Sequence, residues 1–287
     1  MTRLMQRTVC LAVALMSATA STVAAQTAIP GGPVRYGHHH LNVTDIEAHK
    51  AFWIGALGGE PVVFNDTQNV RFPGVLVRLR RQPPTGGTKG SSVNHIGFQV
   101  PNLQATIDKL KAAGYPIVTA AEVTTVKVEG DIAFIPNQNI YTAFVMGPDE
   151  TKVELIENKG LKLPIALHHV HFAGKDVLAL ADWYARAFGG VRGKAGNFET
   201  SDIPSVSLRW GAPTADAQAQ TKGRVLDHIG FEIDNLAEFC KKLEAMGVKL
   251  DLPYKPSAVP NLSNAFLTDP SGTYIELTEG LDQYWKK

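Results

Sequence analysis

Asp227-His228-Ile229-Gly230-Phe231-Glu232-Ile233-Asp234-Asn235-Leu236 reads as a strand running into a helix, with one histidine on the strand. The chain says nearly the same thing at Asn94-His95-Ile96-Gly97-Phe98-Gln99-Val100-Pro101-Asn102-Leu103. Looser versions stand at His38 to Asp45 and at His169 to Asp176. Working outward, the spacing holds without gaps. His38 to Gly59 and His169 to Gly190 both span 21 positions, and His95 to Gly114 and His228 to Gly247 both span 19. Four units of strand, helix and further strands follow, paired as two larger repeats. A small sheet cannot cover its own apolar face, so such repeats must pack on one another.

Alternation along a strand sorts the residues by face. Ile229, Phe231 and Ile233 point toward the helices, so His228, Gly230 and Glu232 face a cleft. The same logic places His95, Gly97 and Gln99 in a cleft, with His169 and His171 in unit three and His38 and His40 in unit one. Near the close of each half, Lys152-Val153-Glu154-Leu155 and Tyr274-Ile275-Glu276-Leu277 turn a carboxylate the same way. Eight of the nine histidines lie on the four opening strands, and only His49 sits on a helix. Each half of the chain therefore offers two histidines and one glutamate: His38, His95 and Glu154, then His169, His228 and Glu276. Two imidazoles and a carboxylate suit a borderline divalent ion and leave positions open for substrate or water.

The remainder of the chain bounds the setting. Within residues 1–25, Arg3 and Arg7 precede an apolar run, and Val23-Ala24-Ala25 offers a small-residue cleavage site. This predicts a secretory signal peptide and a periplasmic or secreted protein. Loss of Arg3 and Arg7 from 28 Lys+Arg leaves 26 against 27 Asp+Glu. That balance, with no basic run, excludes nucleic acid and anionic membrane as expected partners. Cys240 is then the only cysteine, so no internal disulfide is available. Asp45 predicts an N-cap for a helix over Ile46 to Leu57 that ends at Gly58-Gly59. Strands are expected near Val123–Val128, and Pro83 to Ser92 and Gly211 to Gly223 read as linkers. No G-x-S-x-G, P-loop, dinucleotide fingerprint or Cys-x-x-Cys occurs.

The repeated His-Ile-Gly-Phe strand, the Leu-x3-Gly helix end and the closing Asp269-Pro270-Ser271-Gly272-Thr273-Tyr274-Ile275-Glu276-Leu277 resemble the vicinal oxygen chelate (VOC) superfamily of glyoxalases, bleomycin resistance proteins and extradiol dioxygenases. The resemblance covers roughly residues 35 to 280. It implies an α+β fold of two tandem modules, 35–160 and 164–280, whose four βαβββ units form two cupped mixed sheets with helices outside. It also implies a divalent metal, with Fe, Mn, Zn, Ni and Co all open. Glyoxalase I adds a fourth carboxylate ligand near the end of a half's first unit. Here the matching strands carry Arg78 and Arg80, and Arg209 beside Trp210, so Arg78 and Arg209 become candidates to clamp an anionic substrate group, with His40 and His171 lining the cleft. Extradiol enzymes use a further histidine before the last strands, and none occurs after His228.

Three readings stay open from the residues. The first is a lyase or isomerase acting on a small molecule with vicinal oxygens chelated to the metal, with Glu154 or Glu276 as catalytic carboxylate. The second is an Fe(II) or Mn(II) ring-cleaving dioxygenase, and the third a metal-free binding or sequestering protein. A chain with both halves in one polypeptide fits a monomer or a homodimer.

Overall fold

The computed structural model describes residues 33–64, 67–215 and 218–285. The leader expected over residues 1–25 lies outside the described residues. Unit one comprises β1 (Val34–Val43), α1 (Ile46–Lys50), β2 (Glu60–Phe64), β3 (Thr67–Phe72) and β4 (Val75–Arg81). Unit two comprises β5 (Val93–Val100), α2 (Leu103–Ala112), α3 (Thr119–Glu122), β6 (Val128–Glu129), β7 (Ile132–Ile135), β8 (Ile140–Met146) and β9 (Lys152–Glu157). Unit three comprises β10 (Ala166–Phe172), α4 (Val177–Phe188), β11 (Val191–Ala195), β12 (Phe198–Ile203) and β13 (Val206–Trp210). Unit four comprises β14 (Leu226–Ile233), α5 (Leu236–Ala245), β15 (Leu250–Pro256), β16 (Ser263–Thr268) and β17 (Tyr274–Glu279).

The helices begin where their caps dictate. Asp45 accepts from the Glu47 and Ala48 amides, Asn102 from Ala105 and Asp176 from Ala179. Asn235 is left-handed and caps nothing; the Glu279 carboxylate accepts from the Asn235 and Leu236 amides instead. Beyond Lys50, α1 widens into π-type turns over Ala51–Ala56. The strand expected near Val123–Val128 is mostly absent. Val118–Val123 folds into the turn of α3, tied by the Thr119 hydroxyl to the Phe144 amide, and β6 begins only at Val128.

Two mixed sheets result, ordered β15-β16-β17-β14-β1-β4-β3-β2 and β11-β12-β13-β10-β5-β9-β8-β7-β6. Within each unit the first and last strands run parallel, as in β1/β4 and β14/β17. The seams between units are antiparallel: β1 pairs with β14, and β5 with β10. This corrects the grouping by halves. Each sheet takes one unit from each half, because the open inner edge of a unit's first strand is completed by a strand from the other half. The two stretches read as linkers also bond to each other across the halves. Thr85 donates to the Gly223 carbonyl, Val225 to Gly86 and Ser92 to Ala219.

One continuous core joins both sheets. Phe72 of β3 lies 5.0 Å from Phe98 of β5, and Phe188 of α4 lies 4.5 Å from Phe231 of β14. Phe52, Trp53 and Tyr184 are fully buried there, and Cys240 is buried on α5. Helix α4, carried by unit three, thereby covers a strand of the other sheet.

Candidate metal centres

The crossed seams decide which histidines meet. In the β1/β14 seam His38 stands opposite Gly230 and His40 opposite His228, and parallel β17 sets Glu276 beside Gly230. Glu276 Oε2 lies 2.9 Å from His38 Nε2 and 3.1 Å from His228 Nε2. In the β5/β10 seam His169 stands opposite Gly97 and His171 opposite His95, with Glu154 beside Gly97. Glu154 Oε2 lies 2.9 Å from His95 Nε2 and 3.1 Å from His169 Nε2, and the two imidazole nitrogens are 3.3 Å apart. The expected sets are thus exchanged. The centres are His38, His228 and Glu276, and His95, His169 and Glu154; His38 belongs with neither His95 nor Glu154.

The glycines of the repeated motif make this possible. A Cβ on Gly230 would stand 2.0 Å from the His38 ring, and one on Gly97 2.1 Å from the His169 ring. Each imidazole therefore lies flat over the partner strand where only glycine leaves room.

Asp227 and Asn94 fix the outward faces of the two motif histidines. Asp227 Oδ1 is 2.6 Å from His228 Nδ1, and Asn94 Oδ1 is 2.9 Å from His95 Nδ1. These oxygens only accept, so each Nδ1 carries the proton. The neutral imidazole then turns an unprotonated Nε2 toward a carboxylate oxygen, and two acceptors at such a distance need a proton or a cation between them. Convergence of a second imidazole on the same oxygen favours the cation. Three donors bonded at about 2.1 Å to one ion stand roughly 3.0–3.4 Å apart; the 3.1 and 3.3 Å separations fall in that range and the 2.9 Å ones just below it. A carboxylate or amide behind a ligating histidine is also the usual outer partner of a metal site.

Charge follows from these contacts. Burial pulls the His38 and His169 imidazolium forms down to about 4 despite the neighbouring carboxylates. Burial also depresses His95, whereas at His228 the bonds to Asp227 and Glu276 outweigh burial and raise it. Burial opposes ionisation of Glu154 and Glu276, yet their two imidazole contacts hold both well below the usual carboxylate range. Each carboxylate has further support. The Thr142 hydroxyl donates to Glu154 Oε1 at 2.6 Å, and Arg78 donates to Glu276 Oε2 at 3.3 Å.

His40 stacks on His228 at 4.4 Å and His171 on His95 at 4.5 Å. Both His40 nitrogens and His171 Nδ1 are buried without a partner. Arg78 and Arg209 stand opposite His40 and His171 on the parallel strands, while Arg80 is exposed at a strand end. Sequence reasoning missed Asp227, Asn94 and Thr142. The first two precede their histidines and alternate to the other face, so only the curl of a short side chain around the strand reaches Nδ1. An acidic or amide residue before each motif histidine was the available signal.

The sequence matches the family profile of the Glyoxalase/Bleomycin resistance protein/Dioxygenase superfamily over residues 35–155 and 166–277. The chain belongs to that superfamily. Glyoxalase I from Zea mays superposes with a TM-score of 0.67 at 15% identity, covering 87% of this chain and 94% of that one. A dioxygenase-like protein from Bacillus subtilis gives 0.61 at 15% identity, covering 86% and 85%. At such identity the likeness establishes the fold. A search of curated protein sequences finds no match.

Proposed function

We propose that this protein is an exported, metal-dependent enzyme, a lyase or isomerase acting on a small molecule with two adjacent oxygens. The observation that carries the reading is the convergence of His38, His228 and the shielded oxygen of Glu276, repeated by His95, His169 and Glu154. These residues would hold the ion, which supplies Lewis-acid stabilisation to a developing enolate or oxyanion. Three protein donors leave positions for vicinal substrate oxygens. Glu154 and Glu276 stay ionised in the buried sites and serve as proton acceptors, with the Thr142 hydroxyl on the other oxygen of Glu154 and Arg78 on the shared oxygen of Glu276. His171 and His40, buried above the motif histidines with unpartnered ring nitrogens, line the site as neutral imidazoles, since burial pushes their charged forms down. Export rests on the basic and apolar character of residues 1–25. No helix among the described residues is long and apolar enough to cross a membrane.

A second reading, Fe(II) or Mn(II) ring cleavage, gains support from His171 and His40. Stacked at 4.5 and 4.4 Å on a ligand-type imidazole, they would substitute for the missing acid-base histidine. Elemental analysis of protein purified without chelators, with His95→Ala and His228→Ala alongside, tests both. Stoichiometric metal lost in the variants supports the enzyme, and O₂ consumption separates cleavage from lyase chemistry. A wild-type protein that refuses Fe(II), Mn(II), Ni(II) and Zn(II) overturns both and leaves a metal-free binding protein.

A further inference from the structure

The two centres are built alike, but their arginines are used differently. Arg78 ion-pairs with Glu276 through Nη1 at 3.3 Å, its Nε being buried without a partner. Arg209 is 7% exposed, and its guanidinium donates only to neutral oxygens, from Nε to Ser207 Oγ at 3.2 Å and from Nη1 to Gln138 Oε1 at 3.2 Å. Among the described residues no carboxylate ion-pairs with it; Glu154 and Asp202 act on it only through space. A buried guanidinium without a counter-ion is costly, and most of its fork of donors is left unused.

The surroundings sharpen the contrast. In the β1/β14 centre Arg78 meets the Glu276 carboxylate directly, and a second carboxylate, Asp227, backs His228. The β5/β10 centre has Asn94 in place of Asp227, and Glu154 and Asp202 act on Arg209 without bonding to it. Glu122 is already paired with Lys152, two residues before Glu154 on the same strand face, and with Lys89, so it offers Arg209 no negative charge. A divalent ion at His95, His169 and Glu154 would leave surplus positive charge in a nearly closed site. Arg209 sits in register with His171, one strand from the histidine ligands.

We propose that the β5/β10 centre binds a small carboxylate with a second oxygen on the adjacent carbon, of the 2-oxo or 2-hydroxy acid class, and that Arg209 holds the carboxylate. The planar guanidinium fork matches a carboxylate in two-point contact, and the register of Arg209 with His171, one strand from the ligand histidines, sets it beside the same centre. The adjacent oxygen reaching the ion rests on the metal reading; the Arg209 contact does not.

Calorimetric titration of the purified full chain with oxalate tests this, before and after chelator treatment and Mn(II) reloading. Wild type should bind oxalate, Arg209→Gln should weaken it at least about tenfold and Arg209→Lys by less, as expected when a two-point charged contact is lost or reduced to one point. Arg78→Gln, whose arginine is already engaged, should stay within roughly threefold. Inorganic phosphate should bind more weakly than oxalate. Thermal unfolding of each variant separates lost binding from lost folding, and Arg209→Gln should not lower the midpoint, since it removes a buried unpaired charge. Oxalate binding unchanged in Arg209→Gln, equally lost in Arg78→Gln, or matched by phosphate overturns the proposal. Protein that takes up no Mn(II) on reloading yet binds oxalate through Arg209 sinks the metal reading alone. Metal-loaded protein indifferent to Arg209→Gln sinks the anion site alone.

Discussion

At the residue scale the two centres differ chiefly by what stands behind one histidine. Asp227 gives His228 a charged acceptor, whereas Asn94 gives His95 a neutral one, and His228 is raised while His95 is lowered. A more basic imidazole is the better ligand, so Asp227→Asn should weaken divalent-metal binding at the β1/β14 centre by about tenfold or more. Asn94→Asp should tighten the other, and a competitive chelator titration reads both. The motif glycines carry a second expectation. Gly97→Ala would drive a methyl into the His169 ring, whose contacts with Glu154 and His168 leave it little room to give. The substitution should cost about 1–3 kcal/mol of stability and abolish metal uptake at that centre while the β1/β14 centre stays loaded. Retention of two metals in Gly97→Ala would show that the cross-strand seat of the imidazole is not as described. The histidines and glutamates were legible because alternation puts them on one face. The partner of each was not, since the reason for Gly97 and Gly230 is a ring from a distant unit.

At the element scale β14 carries a third inward residue, Glu232, buried at 2% exposure. Its carboxyl accepts from the Gly280 amide at 2.6 Å and the Thr278 hydroxyl at 2.7 Å. Burial outweighs these bonds and raises it to about 7. A carboxyl raised above its unfolded value favours the protonated folded form. Its contribution is therefore fully present below pH 4.5 and is lost as pH rises through about 7. Glu232→Gln should remove that slope and leave the variant more stable than wild type at pH 8, on the order of 1–3 kcal/mol. Denaturant unfolding at pH 5 and pH 8 checks it. Equal pH slopes for the two proteins would mean that Glu232 is ionised and satisfied. The equivalent position on β5 is already a glutamine, Gln99, bonded to Asn158 and the Leu167 carbonyl. Caps at Asp45, Asn102 and Asp176 were legible as elements, being local side-chain-to-amide bonds. The turn of α3 was not, because its tie to Phe144 is a tertiary contact.

At the scale of the whole molecule, a fourfold repeat with matched spacings specifies four units but leaves their pairing open. Units one and two are adjacent in sequence, as are three and four, yet the sheets join one with four and two with three. Nothing in the apolar alternation of β1 distinguishes β5 from β14 as its neighbour, since His95-Ile96-Gly97 and His228-Ile229-Gly230 present the same pattern. The distinction lies in the surrounding contacts. The stretches around Thr85–Ser92 and Ala219–Val225 bond to one another, and Arg224 donates to the Gly87 and Lys89 carbonyls. Arg35 is bonded to Asp234 across the same seam. Cutting the chain between Asn158 and Pro164 tests the arrangement directly. Each half alone would expose the inner edges of two first strands and remove the partners of every triad, because the β1/β14 and β5/β10 seams are both lost. Such edges invite pairing with another chain. The halves should therefore fail to fold as monomers when made separately, and on mixing should give a one-to-one complex by light scattering that recovers both metal sites. Isolated halves that are folded, monomeric and able to bind metal with an intact triad would require units one and two to close on each other, contrary to the seams seen here.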